Sequence, residues 1–308
     1  MFNDMKIQTN SAKALFLSTR PQSLFGALIP VLLGTSLAYS HGAMHLPSAL
    51  LCALFAASMQ VATNLFNDYY DLKMGLDTED QEDMARAYAN GWITQRALVG
   101  IMVVSLCVAI VAGMSMFLTR YDIMPYKGWE LVAIGLACMV TSFLYSCFFS
   151  YVGLGDVMVL LFFGLVPVCG TYYVQVGGLS LAAVLVSIIS GLVIDTMLAI
   201  NNYRDMETDG AKQKNTIVVR LGKEFGKCFY WTLGCVAALL TLVLAWMGTL
   251  SWVSAVVVAA IYLMIHTTTM RKMLRMEKIS NISALLYGEN ARNMLLMGLM
   301  LSIAIVIG

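Results

Sequence analysis

Long apolar runs recur along the whole chain and limit the folds that it can adopt. Hydrophobic residues make up 59% of the 308 residues, charged residues only 12%, and the mean hydropathy is +0.77. A helix needs about 20 apolar residues to cross the hydrocarbon core of a bilayer, where unpaired backbone groups are not tolerated. The sequence therefore predicts an all-α polytopic membrane bundle, one domain over residues 1–308. Its nine spans lie near 22–40, 48–68, 97–119, 128–150, 155–175, 180–203, 227–247, 250–270 and 291–308.

Positive charges predict how the bundle is oriented in the membrane. All of the 19 Lys and Arg residues except Arg120 and Lys127 lie before the first span or beside the loops after spans two, six and eight. Because cytoplasmic loops are enriched in Lys and Arg, we expect a cytoplasmic amino terminus and an external carboxyl terminus. The net charge of +1 by itself argues nothing about nucleic acid, but no basic stripe with interleaved aromatic residues is present, so we expect no nucleic-acid partner.

Two further features concern processing and cysteine chemistry. The polar start MFNDMKIQTNSAK lacks the features of a secretory signal peptide, so we expect the first span to be retained as an anchor. All seven cysteines fall within predicted spans, without a CxxC motif or a nearby histidine cluster. They are interpreted as small buried apolar residues rather than as disulfide partners or zinc ligands.

An acidic cluster follows the second predicted span. The sequence NDYYDLKMGLD occupies residues 67–77. Asn64, Asp68 and Asp71 are spaced i, i+4, i+7, which predicts one stripe along a helix that continues from the span. Gly75 can then turn the chain and bring Asp77 towards the same stripe.

A similar cluster follows the sixth predicted span, where AINNYRDMETD occupies residues 199–209. Asn201, Asp205 and Asp209 are spaced i, i+4, i+8, which predicts a second stripe on the same cytoplasmic face. A duplicated four-helix unit would produce two such clusters, and so would coincidence. Either way, we expect the two helix ends to direct four or more carboxylates, from regions 64–77 and 201–209, into one cavity.

Clustered carboxylates repel one another unless a cation lies between them. Mg²⁺ prefers oxygen ligands and usually takes a few carboxylates together with water and substrate phosphates. With basic residues nearby, this composition is typical of a metal-bound diphosphate. Two alternatives remain from the residues alone: solvated loop charges, and the cation site of an ion-coupled transporter. Asp195, inside span six, is interpreted as an acid that orients the cluster, as part of a proton path, or as a hydrogen-bonded structural acid.

These motifs resemble those of the UbiA superfamily of intramembrane prenyltransferases, which carry NDxxD-type and DxxxD-type motifs at the cytoplasmic ends of helices two and six. The resemblance is stronger to the MenA branch, in which the last Asp of the first motif follows a Gly by two residues. The matching blocks are RPQSLFGALIPV at 20–31, NDYYDLKMGLD at 67–77, RAYANGWIT at 86–94, FLYSCFFSYVGLGDVMVLLFFG at 143–164, NNYRDMETD at 201–209 and KNTIVVRLG at 214–222.

The resemblance implies a UbiA-type bundle with a central cavity capped on the cytoplasmic side, located in the bacterial inner membrane. It implies transfer of a polyprenyl group from polyprenyl diphosphate to 1,4-dihydroxy-2-naphthoate, with loss of CO₂ and formation of demethylmenaquinol for menaquinone biosynthesis. Another aromatic acceptor within the same superfamily is the alternative.

The resemblance also implies the residues of the site. Mg²⁺ is expected on Asp68, Asp71, Asp205 and Asp209, the four acids to which we assign catalysis, and also on Asp77, whose position is shifted relative to the common superfamily spacing. The expected substrate-binding residues are Asn64, Asn67, Lys73, Arg86, Tyr145, Asn201, Asn202 and Arg204. The aromatic residues expected to line the apolar cavity and shelter an allylic cation are Tyr145, Phe148, Phe149, Phe162 and Phe163.

Overall fold

The computed structural model describes residues 7–73, 87–275 and 282–308 of the chain. Within these ranges every regular element is helical, and nine segments are long and apolar enough to cross a membrane. The all-α architecture and the number of spans predicted from the sequence are thereby confirmed.

The helices are α1 (Ala12–Ser18), α2 (Leu24–Ser40), α3 (Leu46–Lys73), α4 (Gln95–Arg120), α5 (Trp129–Leu144), α6 (Gly155–Val159), α7 (Val166–Val176), α8 (Leu181–Arg204), α9 (Met206–Ala211), α10 (Ile217–Leu221), α11 (Lys223–Trp246), α12 (Trp252–Met273) and α13 (Ile282–Ile307). A 3₁₀ turn at Pro21–Ser23 precedes α2, and π-helical turns at Tyr145–Phe149 and Leu160–Leu165 follow α5 and α6. The end of the bundle at which α3 and α8 terminate, at Lys73 and Arg204, is called the motif end below.

Polar residues between the apolar runs fix where the helices begin and end. Ser180 Oγ accepts a hydrogen bond from the Ala183 amide at 3.1 Å and starts α8, and Thr94 caps α4 in the same way. Such a cap stabilises a helix by about 1 kcal/mol. Gly177 ends α7 with φ of 79°, and a Cβ there would meet the Ile123 carbonyl oxygen at 2.7 Å. Glycine is therefore required at that turn.

Helix α8 lies at the centre of the bundle and contacts α2, α7, α11 and α13. Its approach to the preceding span depends on two glycines. A Cβ at Gly164 would meet the Ser187 carbonyl oxygen at 2.5 Å, and one at Gly191 would meet the Leu160 side chain at 2.6 Å. Small residues let membrane helices pack with their backbones in close contact. This contact holds the second acidic motif, at the end of α8, in register with α6 and α7.

Hydrogen bonds between side chains join the helices across the apolar interior. Asn290 Nδ2 on α13 donates to Thr196 Oγ1 on α8 at 3.0 Å, and Ser36 on α2 bonds Ser302 on α13 at 2.6 Å. Each such bond inside a membrane contributes on the order of 0.6 kcal/mol. Their main consequence is register, because a sliding helix would leave these polar atoms unpaired in an apolar environment.

Candidate active site

A cavity of about 370 Å³ runs through the bundle from the motif end towards the opposite side. Its end at the two acidic motifs is polar and is lined by Asn64, Asn67 and Asn201. Its walls are apolar and come from α2 to α8 and from the π-helical turn after α6; they include Phe55, Met59, Met116, Cys138, Phe162 and Phe163. A cavity with this polarity suits a ligand that has an anionic or polar head and a long apolar tail.

Asn64 is held firmly at the polar end of the cavity. Its Nδ2 donates to Ser23 Oγ at 2.7 Å and to the Thr19 carbonyl at 3.3 Å, while its Oδ1 accepts from Gln60 Nε2 at 2.9 Å. These bonds tie α3 to the 3₁₀ turn before α2. Asn67, one turn further on, accepts a hydrogen bond from Ser146 in the π-helical turn after α5. Both predicted amides therefore line the cavity and also fix its wall.

Asp68 of the first motif forms an ion pair with Arg20. Asp68 is only 1% exposed, and Arg20 itself lines the cavity with a left-handed backbone, φ 51°. Arg20 begins the matching block at 20–31 but was not among the expected site residues, and 48 residues separate it from Asp68 in the sequence. The sequence does distinguish Arg20, which is a lone basic residue at the border of an apolar span, directly before a proline.

The second motif does not continue the helix that carries it. Helix α8 ends at Arg204, Asp205 has φ −92° and ψ 8°, and α9 begins at Met206. One uninterrupted helix through Asn201, Asp205 and Asp209 is therefore not formed, although the amides of Asp205 and Asp209 still donate to the carbonyls four residues earlier, at 2.9 and 2.7 Å. The Asp205 carboxylate instead receives two hydrogen bonds from the Arg204 guanidinium, each 2.7 Å long.

Asp209 is buried on α9, and Lys214 Nζ lies 3.5 Å from its Oδ1. Burial raises the pKa of Asp209, Lys214 opposes this rise, and the negative charge of Asp205 adds to it. The second motif is thus a pair of neighbouring carboxylates, each beside a cation. A divalent ion at this position would relieve their mutual repulsion.

Tyr151 connects the two motifs. Its hydroxyl is buried, and burial raises its pKa to about 12, with further contributions from the negative charges of Asp71 and Asp209. One side chain therefore lies within electrostatic range of an acid from each motif. This supports the expectation that the two helix ends converge at the motif end.

The acids fit Mg²⁺ by chemistry, since carboxylate oxygens are the donors that this ion prefers. Within residues 7–73, 87–275 and 282–308, however, no three acidic, histidine or cysteine side chains are grouped closely enough to hold a metal ion. Asp68 and Asp205 instead each face an arginine. Asp77 and Arg86, expected to contribute to the site, lie outside the described residues.

The other predicted residues divide into two groups. Tyr145 lines the cavity with Phe162 and Phe163, whereas Phe148 is 53% exposed and neither it nor Phe149 lines the cavity. The π-helical turn at 145–149 directs Tyr145 inwards and Phe148 outwards.

Among the predicted polar residues, Asn201 lines the cavity, but its neighbour Asn202 is buried elsewhere. Lys73 is exposed at the end of α3, 6.0 Å from the centre of the Tyr69 ring. Arg204 is engaged with Asp205 and does not line the cavity. The structure thus brings Asn64, Asn67, Tyr145 and Asn201 around the cavity and places the two basic residues at its periphery.

The structure contains a second pair of acids, of which only Asp195 was considered from the sequence. Asp156 on α6 and Asp195 on α8 are both buried, and helices α6 and α8 contact each other. The Oδ1 atom of each has no hydrogen-bond partner among the described residues. One of the three interpretations of Asp195 was a hydrogen-bonded structural acid. Its Oδ1 atom gives no support to that interpretation, because it accepts no hydrogen bond from the described residues. Asp156 ends the sequence GLGD within the matching block at 143–164, and it could have been noticed there.

Fold and site together define a helical protein that has, within the described residues, nine segments fit to span a membrane and a cavity with a polar end and apolar walls. The chain belongs to the UbiA prenyltransferase family, whose sequence model matches residues 27–282, and it is a prenyltransferase. It is 32% identical over 265 residues to a 1,4-dihydroxy-2-naphthoate octaprenyltransferase of Haemophilus influenzae, covering 84% of this chain and 85% of the relative. It is 33% identical to the human UbiA prenyltransferase domain-containing protein 1, covering 70% of this chain and 63% of that protein.

Solved structures show the same fold. A UbiA homologue from Aeropyrum pernix K1 aligns with a TM-score of 0.69 at 14% identity, covering 91% of this chain and 97% of that structure. A UbiA homologue from Archaeoglobus fulgidus, bound to GPP and Mg²⁺, aligns with a TM-score of 0.65 at 13% identity, covering 96% and 100% of the two chains.

Proposed function

We propose that this chain transfers a polyprenyl group from polyprenyl diphosphate to 1,4-dihydroxy-2-naphthoate, with release of CO₂ and diphosphate, to give demethylmenaquinol. The observation that carries the proposal is the cavity itself. Its polar end lies at both acidic motifs, and its apolar walls can take an isoprenoid tail. The naphthoate acceptor is proposed because the relatives in Haemophilus influenzae and Escherichia coli are 1,4-dihydroxy-2-naphthoate octaprenyltransferases.

The residues of the chain take separate roles in this proposal. Asp68, Asp71, Asp205 and Asp209 are the carboxylates that would hold Mg²⁺, and Asp77 would join them. The ion would supply Lewis-acid stabilisation of the departing diphosphate. Asn64, Asn67 and Asn201 orient the polar head at the cavity end, and Arg20, Lys73, Arg86 and Arg204 supply positive charge around the diphosphate.

The apolar part of the cavity supports the second half of the reaction. Phe162 and Phe163 line it beside Tyr145, so an allylic cation would face aromatic rings and little water. Since the acceptor must reach the same carbon, we infer that its ring binds beside Tyr145. We further propose that the nine spans act as one catalytic unit in the bacterial inner membrane, with the motif end in the cytoplasm.

Substituting the metal-binding acids provides the main test. Asp71→Asn and Asp205→Asn should each lower Mg²⁺-dependent prenyl transfer at least about 100-fold, because several kcal/mol of charge stabilisation would be lost. Glu207→Gln removes the same charge from an exposed neighbour on α9 and should leave turnover unchanged. Purified protein is assayed with one polyprenyl diphosphate, with Mg²⁺ or with EDTA, and the product is identified by mass.

The same assay decides the acceptor. A panel of aromatic acids and phenols is offered, and the product with 1,4-dihydroxy-2-naphthoate should appear with a mass that reflects the loss of CO₂. Preference for a different aromatic acceptor would replace the proposed substrate but keep the diphosphate site. Full turnover of both aspartate variants would refute the metal site.

A further inference from the structure

Tyr151 lies on a short segment, residues 150–154, between the π-helical turn after α5 and helix α6. The segment is fixed to the chain that follows the second motif. The Asn215 amide donates to the Tyr151 carbonyl at 2.9 Å, and Arg220 Nη2 donates to the Val152 carbonyl at 2.8 Å. Gly153 lets the two chains approach, since a Cβ there would meet the Asn215 carbonyl oxygen at 2.7 Å.

The ring of Tyr151 reaches from this segment towards the first motif. It packs edge to face with Tyr70, with ring centres 6.3 Å apart, and Tyr70 directly precedes Asp71. The backbone of Tyr151 is thus held by the region after the second motif, while its side chain contacts the helix of the first. The charges of Asp71 and Asp209, one acid from each motif, both act on the Tyr151 hydroxyl.

The Tyr151 hydroxyl is buried and has no hydrogen-bond partner among the residues that the structure describes. Buried phenol hydroxyls normally find a partner, because a lost hydrogen bond costs free energy. Its raised pKa, about 12, keeps the proton on the oxygen at physiological pH. The group is therefore a neutral donor that has no acceptor among the described residues and lies within electrostatic range of an acid from each motif.

We propose that the Tyr151 hydroxyl donates a hydrogen bond to an oxygen of the diphosphate leaving group. The inference rests on the proposed function, and it adds a contact from the α5–α6 connection to those from α3 and α8. When the bond between the prenyl carbon and the diphosphate oxygen breaks, its electron pair stays on that oxygen. The donor then stabilises the increased negative charge, and no proton is transferred.

The test compares wild type, Tyr151→Phe and Tyr88→Phe in lipid nanodiscs. Tyr151→Phe keeps the ring contact and all backbone bonds of the segment. It should weaken binding of inorganic pyrophosphate with Mg²⁺ about 10- to 100-fold by calorimetry, as expected for a hydrogen bond to a charged group, and lower turnover similarly. Tyr88→Phe makes the same change in a tyrosine stacked on Tyr69 and should change neither quantity.

Thermal unfolding without pyrophosphate separates this role from a structural one. Since the hydroxyl has no hydrogen-bond partner to lose among the described residues, Tyr151→Phe should unfold at the same temperature as wild type or higher. A lower unfolding temperature would overturn the inference, and so would wild-type affinity for pyrophosphate in this variant. If the wild type itself bound no pyrophosphate with Mg²⁺, the diphosphate site of the proposed function would fail as well.

Discussion

At the scale of single residues, the ion pair between Arg20 and Asp68 is the strongest constraint on the site. Asp68 is 1% exposed, and the Arg20 side chain is 20% exposed. Removing one partner from a buried pair leaves an uncompensated charge and costs about 3–5 kcal/mol. Arg20→Met should therefore lower the unfolding temperature markedly in EDTA. Added Mg²⁺ should restore part of the loss, because a cation near Asp68 would again neutralise its carboxylate.

Arg204→Met is the matched control, because it removes an arginine from an aspartate pair that is about 30% exposed. The side chains of Arg204 and Asp205 are 27% and 31% exposed, so water screens this pair and its loss should cost no more than about 1 kcal/mol. Differential scanning fluorimetry of both variants, with and without Mg²⁺, measures the contrast. Equal decreases in unfolding temperature in the two variants would contradict this account of the pair. So would an unfolding temperature of Arg20→Met that does not change with Mg²⁺.

The residues of the site differ in how far the sequence could predict them. Asn64 and Asn201 follow from the spacing of polar residues at the ends of apolar spans, Asn67 follows from the family resemblance, and all three line the cavity. Arg20 and Tyr151 could not be assigned in this way. Each meets the motifs through a contact between distant parts of the chain, which depends on helix packing rather than on local periodicity.

At the scale of elements, the contact between α8 and the span formed by α6 and α7 depends on Gly164. Gly164→Ala would place a Cβ 2.5 Å from a backbone oxygen, so the helices would have to separate, and we expect a loss of several kcal/mol or failure to fold. Gly170→Ala is the control on α7, because a Cβ at Gly170 meets nothing within 4 Å. Thermal unfolding of the two purified variants is the measurement, and similar stability in both would contradict the packing described.

Hydropathy predicted the helices well, but it could not predict their irregularities. The nine apolar runs correspond to nine spanning segments among the described residues, because the bilayer imposes both the length and the composition of a spanning helix. The bend at Asp205 and the π-helical turn at Tyr145–Phe149 leave no trace in hydropathy. The first interrupts the helix that carries the second motif, and the second contains Phe148, which was expected to line the cavity but does not.

At the scale of the whole molecule, the charges on the two ends of the bundle are unequal. The motif end carries the segment from Arg204 to Lys227, which alone holds six Lys and Arg residues. On the opposite side Arg120 donates hydrogen bonds to the backbone carbonyls of Val174 and Gln175, at 3.0 and 2.7 Å. Arg120 thus serves as a structural link between α4 and α7. This strengthens the expected orientation, with the motif end in the cytoplasm.

The described residues contain nine spans, an odd number, which would then place the two termini on opposite sides of the membrane. Alkaline phosphatase fused after Gly308 should be active in a bacterial host, and green fluorescent protein fused there should be dark, since each folds on one side only. Fusions after Arg275, one span earlier, should give the reverse pattern. A fluorescent fusion at Gly308 together with an active phosphatase at Arg275 would show that the topology is the inverse of the expected one. The acidic motifs would then face the periplasm, away from cytoplasmic diphosphates, and the proposed reaction could not take place there.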